Sequence, residues 1–311
     1  VTADDYKVLV KSLYANAQSV QVYGGEDAAT PDYGKVYISI KAKSGSNLTE
    51  VTKTSLVQSL KSFAVASVTP VIIDPETTFI TLTTTFKYDS SLTTKDVSTL
   101  ETNVVEAITG YNTDTLENFT GMFRYSAVGK TIDGADSSIL SNITKVKMYK
   151  YITPTLSSGL KYTLSFNNAF YNPHSGHNSS AGGIVSSTGF KINNDSSTNE
   201  HFLDDDGAGN IRVYYLSGTT RIYTDSTFGT INYTTGEIIL TSANITSISN
   251  VDGAASTQIR VTTTPSSNDI IPVRNQVLEI DTTNSTITGS VDEIESGSSQ
   301  AGTTYTTTSS Y

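Results

Sequence analysis

Apolar residues recur along the first half of the chain with two alternating periods. Leu9, Val10 and Leu13 fall on one face of a helix over Val1 to Leu13. Thr2 opens it, its hydroxyl placed to accept from the amide three residues on, and Asp4 and Asp5 suit the positive end of the helix dipole. Ser19 to Tyr23 alternates as a strand, Gly24-Gly25 breaks it, and Lys35 to Lys41 restarts with Val36, Ile38 and Ile40 on one face. Thr49 to Ala64 returns to the 3.6 period through Val51, Leu56, Val57, Leu60 and Phe63, with Thr49 and Thr52 as caps. Strands at Val71 to Asp74 and Thr77 to Tyr88 are split by Asp74-Pro75, since proline donates nothing to a ladder. A second amphipathic helix, Lys95 to Ile108, stops at Gly110. Shorter pieces follow: Thr115 to Phe119, a strand at Met122 to Tyr125, a helical turn around Ser137 to Leu140, and a strand from Lys145 to Ile152.

Beyond Tyr151 the helical period disappears. Short strands are predicted at Lys161–Phe166, Gly183–Val185, Phe190–Ile192, Ile211–Leu216, Thr219–Tyr223, Ile231–Tyr233, Glu237–Leu240, Gln258–Thr264 and Val277–Asp281. Turns at Leu216-Ser217-Gly218, Thr234-Thr235-Gly236 and Val251-Asp252-Gly253 separate them, a spacing that reads as a sandwich or barrel. From Thr282 the chain becomes a Ser/Thr/Gly tract with only negative charge, and Ala301 to Tyr311 has too little apolar surface to offset ordering entropy. The expected class is α+β: a mixed helix/strand region over 1–150, a β-rich, sandwich-like region over 151–281, and an acidic tail over 282–311.

Composition narrows what such a chain can do. The 311 residues carry 20 basic and 30 acidic side chains, and the net charge of −10 divides unevenly, −2 before Tyr151 and −8 after it. A sequence pI near 4.7 argues against nucleic acid, whose phosphates are neutralised by clustered Lys and Arg. No apolar run approaches the roughly 18 residues of a membrane span, so no membrane partner is expected. The absence of cysteine excludes disulfides, thiolate nucleophiles and thiolate-held clusters. The chain opens on Val1 with no signal-like leader, which suggests a processed or partial polypeptide.

Candidate chemistry is sparse. Asp204-Asp205-Asp206-Gly207-Ala208-Gly209 superficially resembles a calcium loop, in which Asp206 and Gly209 fit the third and sixth positions. Ala208 and Tyr215 stand where two further side-chain ligands belong, so Asp204 and Asp206 are weak metal candidates against an acidic turn. His174 and His177 sit three apart, but Pro173 and Gly176 disfavour the helix that would align them; His201, beside Glu200, is the remaining imidazole. Nucleophile-elbow, phosphate-loop and H-E-x-x-H patterns are missing, so neither catalytic residues nor a cofactor are expected. Tyrosine is abundant, including Tyr149 with Tyr151 and Tyr214 with Tyr215, and suits protein contacts as well as sheet packing.

Val1-Thr2-Ala3-Asp4-Asp5-Tyr6-Lys7, then Val20-Gln21-Val22-Tyr23-Gly24-Gly25-Glu26-Asp27, then Tyr33 to Lys41, resemble the baseplate J-like family, and within it the C-terminal part of the inner-ring wedge subunit of T-even-type contractile-tailed phages. Leu164 to Ala169, Ser187 to Phe190 and Phe202 to Ile211 extend the likeness to about Leu240. The resemblance implies a structural virion protein without catalytic residues. Implied partners are a second copy of the chain in a dimer and ring, other wedge proteins, and neighbouring hub or sheath-initiator proteins. It implies a place in the tail baseplate, reached from the host cytoplasm during assembly. Gly24, Gly25 and Gly34 match its framework, where positive φ or close strand approach is expected. Two rival readings are an adhesin or carbohydrate-binding module, and a hydrolase using acidic pairs in the β-rich region.

Overall fold

The computed structural model describes residues 2–28, 31–43, 47–63, 68–179, 183–193, 195 and 199–293. Two compact units emerge, each assembled from separated stretches of chain: 1–78 with 114–122 and 270–279, and 79–113 with 123–269 and 280–311.

The first unit is a small α/β layer. Helix α1 (Ala3–Leu13) begins at Thr2, whose hydroxyl accepts from the Asp5 amide while the Asp5 carboxylate accepts from the Thr2 amide, a reciprocal cap. Strands β1 (Ala17–Gly24) and β2 (Lys35–Ala42) are antiparallel, with Val22 opposite Ile38 and Val20 opposite Ile40. Helix α2 (Glu50–Lys61), capped by Thr49, crosses to β3 (Thr69–Ile73), which lies parallel to β2. Tyr6, Val10, Val20, Val22, Ile38, Ile40, Leu56 and Leu60 form the core, each large side chain contributing about 1.5–3 kcal/mol on burial. The expected apolar faces shift slightly: Tyr6 rather than Leu13 is buried on α1, and Val51 is exposed on α2. Ala64 falls outside the described residues.

In β4 (Glu76–Tyr88), Thr78, Ile80, Leu82, Thr84 and Phe86 are buried in strict alternation. Within the second unit it pairs antiparallel with β5 (Ile139–Ile152), Ile80 facing Met148 and Leu82 facing Val146. Helix α3 (Val97–Tyr111), capped by Asp96, runs through Gly110 instead of stopping there. A helix α4 (Tyr125–Asp133) replaces the strand expected at Met122–Tyr125, because Tyr125, Val128 and Ile132 share one helical face. The helical turn expected around Ser137–Leu140 is a turn leading straight into β5.

Residue 150, where the composition changes, lies inside β5. The β-rich part then supplies β6 (Gly159–Ser165), β7 (Ser186–Ser187), β8 (Phe190–Ile192), β9 (His201–Asp205), β10 (Asn210–Ser217), β11 (Thr220–Asn232), β12 (Glu237–Ile248), β13 (Ile259–Thr263), β14 (Gln276–Ile280) and β15 (Thr286–Val291). One sheet follows the order β14-β4-β5-β13-β7, with β15 also on β4. The other follows β11-β10-β9-β8-β12-β6, and β11 pairs back onto β12. That last pairing closes five strands into a ring, so of the sandwich or barrel that the turn spacing allowed, this β-rich part takes the barrel-like form. Closure depends on the β11–β12 turn, where Gly236 takes φ 69° and a Cβ would meet the Asn168 backbone. The strand predicted at Gly183–Val185 starts only at Ser186. Part of the predicted tail is β15, parallel to β4 from Thr286 opposite Thr83 to Val291 opposite Tyr88. Ala301 to Tyr311 lies outside the described residues.

Candidate functional site

Strand β9 contributes two of three consecutive aspartates, and the turn after it contributes the third. The Asp204 side chain is 1% exposed. Its Oδ1 accepts from Arg212 Nε at 2.9 Å, and its Oδ2 accepts from Arg221 at 2.8 Å and from the Tyr223 hydroxyl at 2.7 Å. Strand register explains this convergence: Arg212 on β10 stands directly opposite Asp204, and the β10–β11 hairpin folds Arg221 and Tyr223 back onto the same face.

The two arginines are also held by aromatic rings. The Arg212 guanidinium lies 4.4 Å from the Tyr223 ring centroid, and that of Arg221 lies 4.6 Å from the Tyr214 centroid. Tyr214 in turn meets Phe202 and Tyr223, each with centroids 5.8 Å apart. Burial raises the Tyr214 and Tyr223 hydroxyls above their usual range, and for Tyr223 the bond to Asp204 adds to the effect. Both stay protonated at neutral pH. Leu216, Ile222 and Tyr223 remain exposed along this hairpin. Tyr and Arg dominate the contacts that carry binding energy, and a salt-bridged, stacked guanidinium loses little freedom when a partner covers it.

The neighbouring acids serve the backbone. Asp205 is fully buried, and its Oδ1 accepts from the Ile184 and Val185 amides at 2.6 and 2.9 Å. Its Oδ2 accepts from the Tyr233 hydroxyl at 2.6 Å, and burial followed by that bond pushes Tyr233 far up. Asp206 caps its turn through the Ala208 and Asn210 amides, at 2.8 and 2.9 Å, and the Asn210 side chain. Burial pulls its carboxyl upward, but these bonds outweigh it and hold it below the ordinary range.

Every oxygen of the three carboxylates therefore already accepts from the chain, and the Asp204 charge is balanced by two arginines. Among the described residues no group of three or more His, Asp or Glu is arranged to hold a metal. His174 Nε2 and His177 Nδ1 lie 3.1 Å apart, a contact that one imidazole N–H can bridge, and no third ligand stands beside them among the described residues. His201 is fully buried; Nδ1 contacts the Asn199 carbonyl at 3.0 Å, and Nε2 lies 3.2 Å from Asp195 without hydrogen-bond alignment. Burial holds its pKa below the usual imidazole value despite Asp195.

The three framework glycines sit at the break between β1 and β2. Gly34 has φ 80°. Gly25 has the Asp32 carbonyl oxygen where a Cβ would stand, while a Cβ on Gly24 would first meet the end of the Glu26 side chain. Sequence reasoning did not single out Arg212 and Arg221. Their only local signal was a pair of arginines flanking a turn in an otherwise acidic region.

Residues 2–73 match the family model for the baseplate structural protein gp6, C-terminal domain I, and residues 76–151 match the model for its C-terminal domain III. The chain is also similar to the baseplate wedge protein gp6 of Enterobacteria phage T4, 30% identical over 168 residues, which cover 52% of this chain and 24% of that protein. The chain thus spans about a quarter of the length of the curated relative it matches. The framework glycines lie inside the domain I match, and the Asp204 cluster lies beyond both models. Through residues 2–151, this chain is similar to C-terminal domains I and III of the baseplate structural protein gp6.

Proposed function

We propose that the chain is a structural subunit of a phage tail baseplate wedge, working by contact and not by catalysis. The reading rests on the two consecutive matches to the C-terminal domains of a baseplate structural protein over residues 2–151. In it, copies pair with one another and close an inner ring around the hub. Other wedge proteins and hub or sheath-initiator proteins dock on the ring, first in the host cytoplasm and finally in the virion. Separate parts of the chain divide these contacts, and Gly24, Gly25 and Gly34 keep their framework role.

The Arg212–Tyr223 and Arg221–Tyr214 stacks favour this reading, because they offer a rigid, desolvation-ready surface and no reactive group. Repetition of a modest contact around a closed ring makes the assembly effectively irreversible.

Sedimentation of the purified chain over roughly a hundredfold range of concentration tests self-pairing, since mass action makes a dimer concentration-dependent. The average mass rises toward that of a dimer. A strict monomer throughout, which also fails to co-purify with co-expressed wedge proteins, overturns the assembly role.

A further inference from the structure

The β10–β11 hairpin runs past the rest of its sheet. Strand β9 pairs with β10 only as far as Tyr215, opposite His201, and β12 pairs with β11 only from Gly229 to Asn232. Every residue from 216 to 224 is exposed, and among the described residues no strand pairs with the outer edge of β11 over 220–224. Gly218, at φ 64°, makes the two-residue turn of this hairpin. In such a hairpin the closing pair, Ser217 with Thr220, exchanges both backbone bonds, and the next pair, Leu216 with Arg221, exchanges none. Bonded and unbonded pairs alternate from there, so the amides and carbonyls of Arg221 and Tyr223 point away from β10 toward the open side.

An open edge is a template for another strand, and proteins usually blunt it with proline, lysine or brevity. Strand β3 carries Pro70, β6 carries Lys161, and β7 is two residues long. Thr220-Arg221-Ile222-Tyr223-Thr224 has neither proline nor lysine and consists mostly of β-branched and aromatic residues. The Arg221 charge is balanced by Asp204, and the Arg–Tyr stacks hold in shape a hairpin that would be marginal by itself. The segment is also nearly symmetric about Ile222, and that symmetry selects the occupant. Laid antiparallel on a second copy, Thr220 stands opposite Thr224 of the other chain, Arg221 opposite Tyr223, and Ile222 opposite its own counterpart. Threonine pairs, an arginine beside a tyrosine ring and an aliphatic pair are each favourable cross-strand neighbours, and no like charges meet. Arg221 and Tyr223 then exchange both of their outward backbone bonds with each other across the two chains.

We propose that two copies of the chain pair through this edge, β11 against β11 in antiparallel register about Ile222, an isologous contact that joins the two sheets. This names the surface of the self-pairing proposed above and rests on that reading. Because the chain has no cysteine, Ile222→Cys introduces a lone thiol with its counterpart directly opposite, and facing Cα atoms on paired strands lie within disulfide reach. Under mild oxidation the full chain carrying Ile222→Cys runs as a dimer on non-reducing gels. Ile143→Cys, at a site on β5 that is 63% exposed against 38% for Ile222, stays largely monomeric, which separates pairing from random collision. Ile222→Lys sets two ammonium groups face to face and weakens dimerisation in sedimentation by at least about tenfold, with an unchanged circular dichroism spectrum. Where Ile222→Lys does not fold, the comparison of the two cysteine variants decides alone. A mass that rises with concentration as before in folded Ile222→Lys, or equal linking of the two cysteine variants, overturns this edge and leaves self-pairing standing. A chain that stays monomeric and unlinked throughout overturns both.

Discussion

Arg212 and Arg221 approach the same carboxylate from adjacent strands, at 2.9 and 2.8 Å from opposite oxygens of Asp204, yet their side chains are 15% and 37% exposed. That asymmetry predicts unequal mutational costs. Asp204→Ala leaves two guanidinium groups facing a buried space and loses about 3–5 kcal/mol, the cost of breaking a buried ion pair from one side. Arg221→Ala removes a partly solvated partner while Arg212 and Tyr223 still satisfy Asp204, and loses about 1 kcal/mol. Urea unfolding followed by circular dichroism measures both. Equal midpoints for the two variants contradict the geometry.

Three glycines separate backbone need from coincidence. Gly34 at φ 80° lies in the left-handed region, so Gly34→Ala destabilises by about 1–2 kcal/mol. Gly25→Ala forces its new methyl onto the Asp32 carbonyl, which cannot swing away as a side chain end does, and costs about 1–3 kcal/mol. Gly110 sits inside α3 with open space where a Cβ would stand. Gly110→Ala therefore stabilises by about 0.5–1 kcal/mol, through unfolded-state entropy and helix propensity. Denaturant midpoints for the three variants give the order, and a destabilised Gly110→Ala protein contradicts it.

Helices α1 and α2 were legible because their caps are local, Thr2 and Thr49 each accepting from an amide three residues ahead, and α3 was legible from its apolar period alone. Strand β4 was legible because its alternation is strict from Thr78 to Phe86. What was missed depends on distant partners. Asp204 and Asp205 read as a solvated turn because the groups that permit their burial, Arg221, Tyr223 and Tyr233, arrive 17 to 28 residues later in sequence. Strand β15 has little apolar character and pairs along its backbone with β4, roughly two hundred residues away, which no local pattern encodes. Helix α4 begins at Arg124 without a side-chain cap, so its start carried no signal, and the aromatic run at Phe123 and Tyr125 mimicked a strand.

Acid should unfold the protein in two separable stages. The folded His201 imidazole resists protonation because it is buried, so below pH 6.5 the unfolded chain binds a proton that the folded chain does not. Stability falls from there until the folded imidazole itself titrates. Asp136 behaves later. Its bond to Lys95, at 2.6 Å, and those from Ser138 hold its carboxyl at about 2, below the usual 3.8. Its contribution is complete above pH 3.8 and is lost as pH falls toward 2. Because Lys95 is nearly half exposed, solvent screening limits that contribution to about 1–2 kcal/mol. Urea midpoints measured from pH 8 to pH 2 resolve the stages. His201→Asn flattens the profile just below pH 6.5, and Asp136→Asn makes it shallower below about 3.8, each leaving the other stage in place. A wild-type profile already flat just below pH 6.5, or one whose slope there survives His201→Asn, contradicts the assignment of that stage to the buried imidazole.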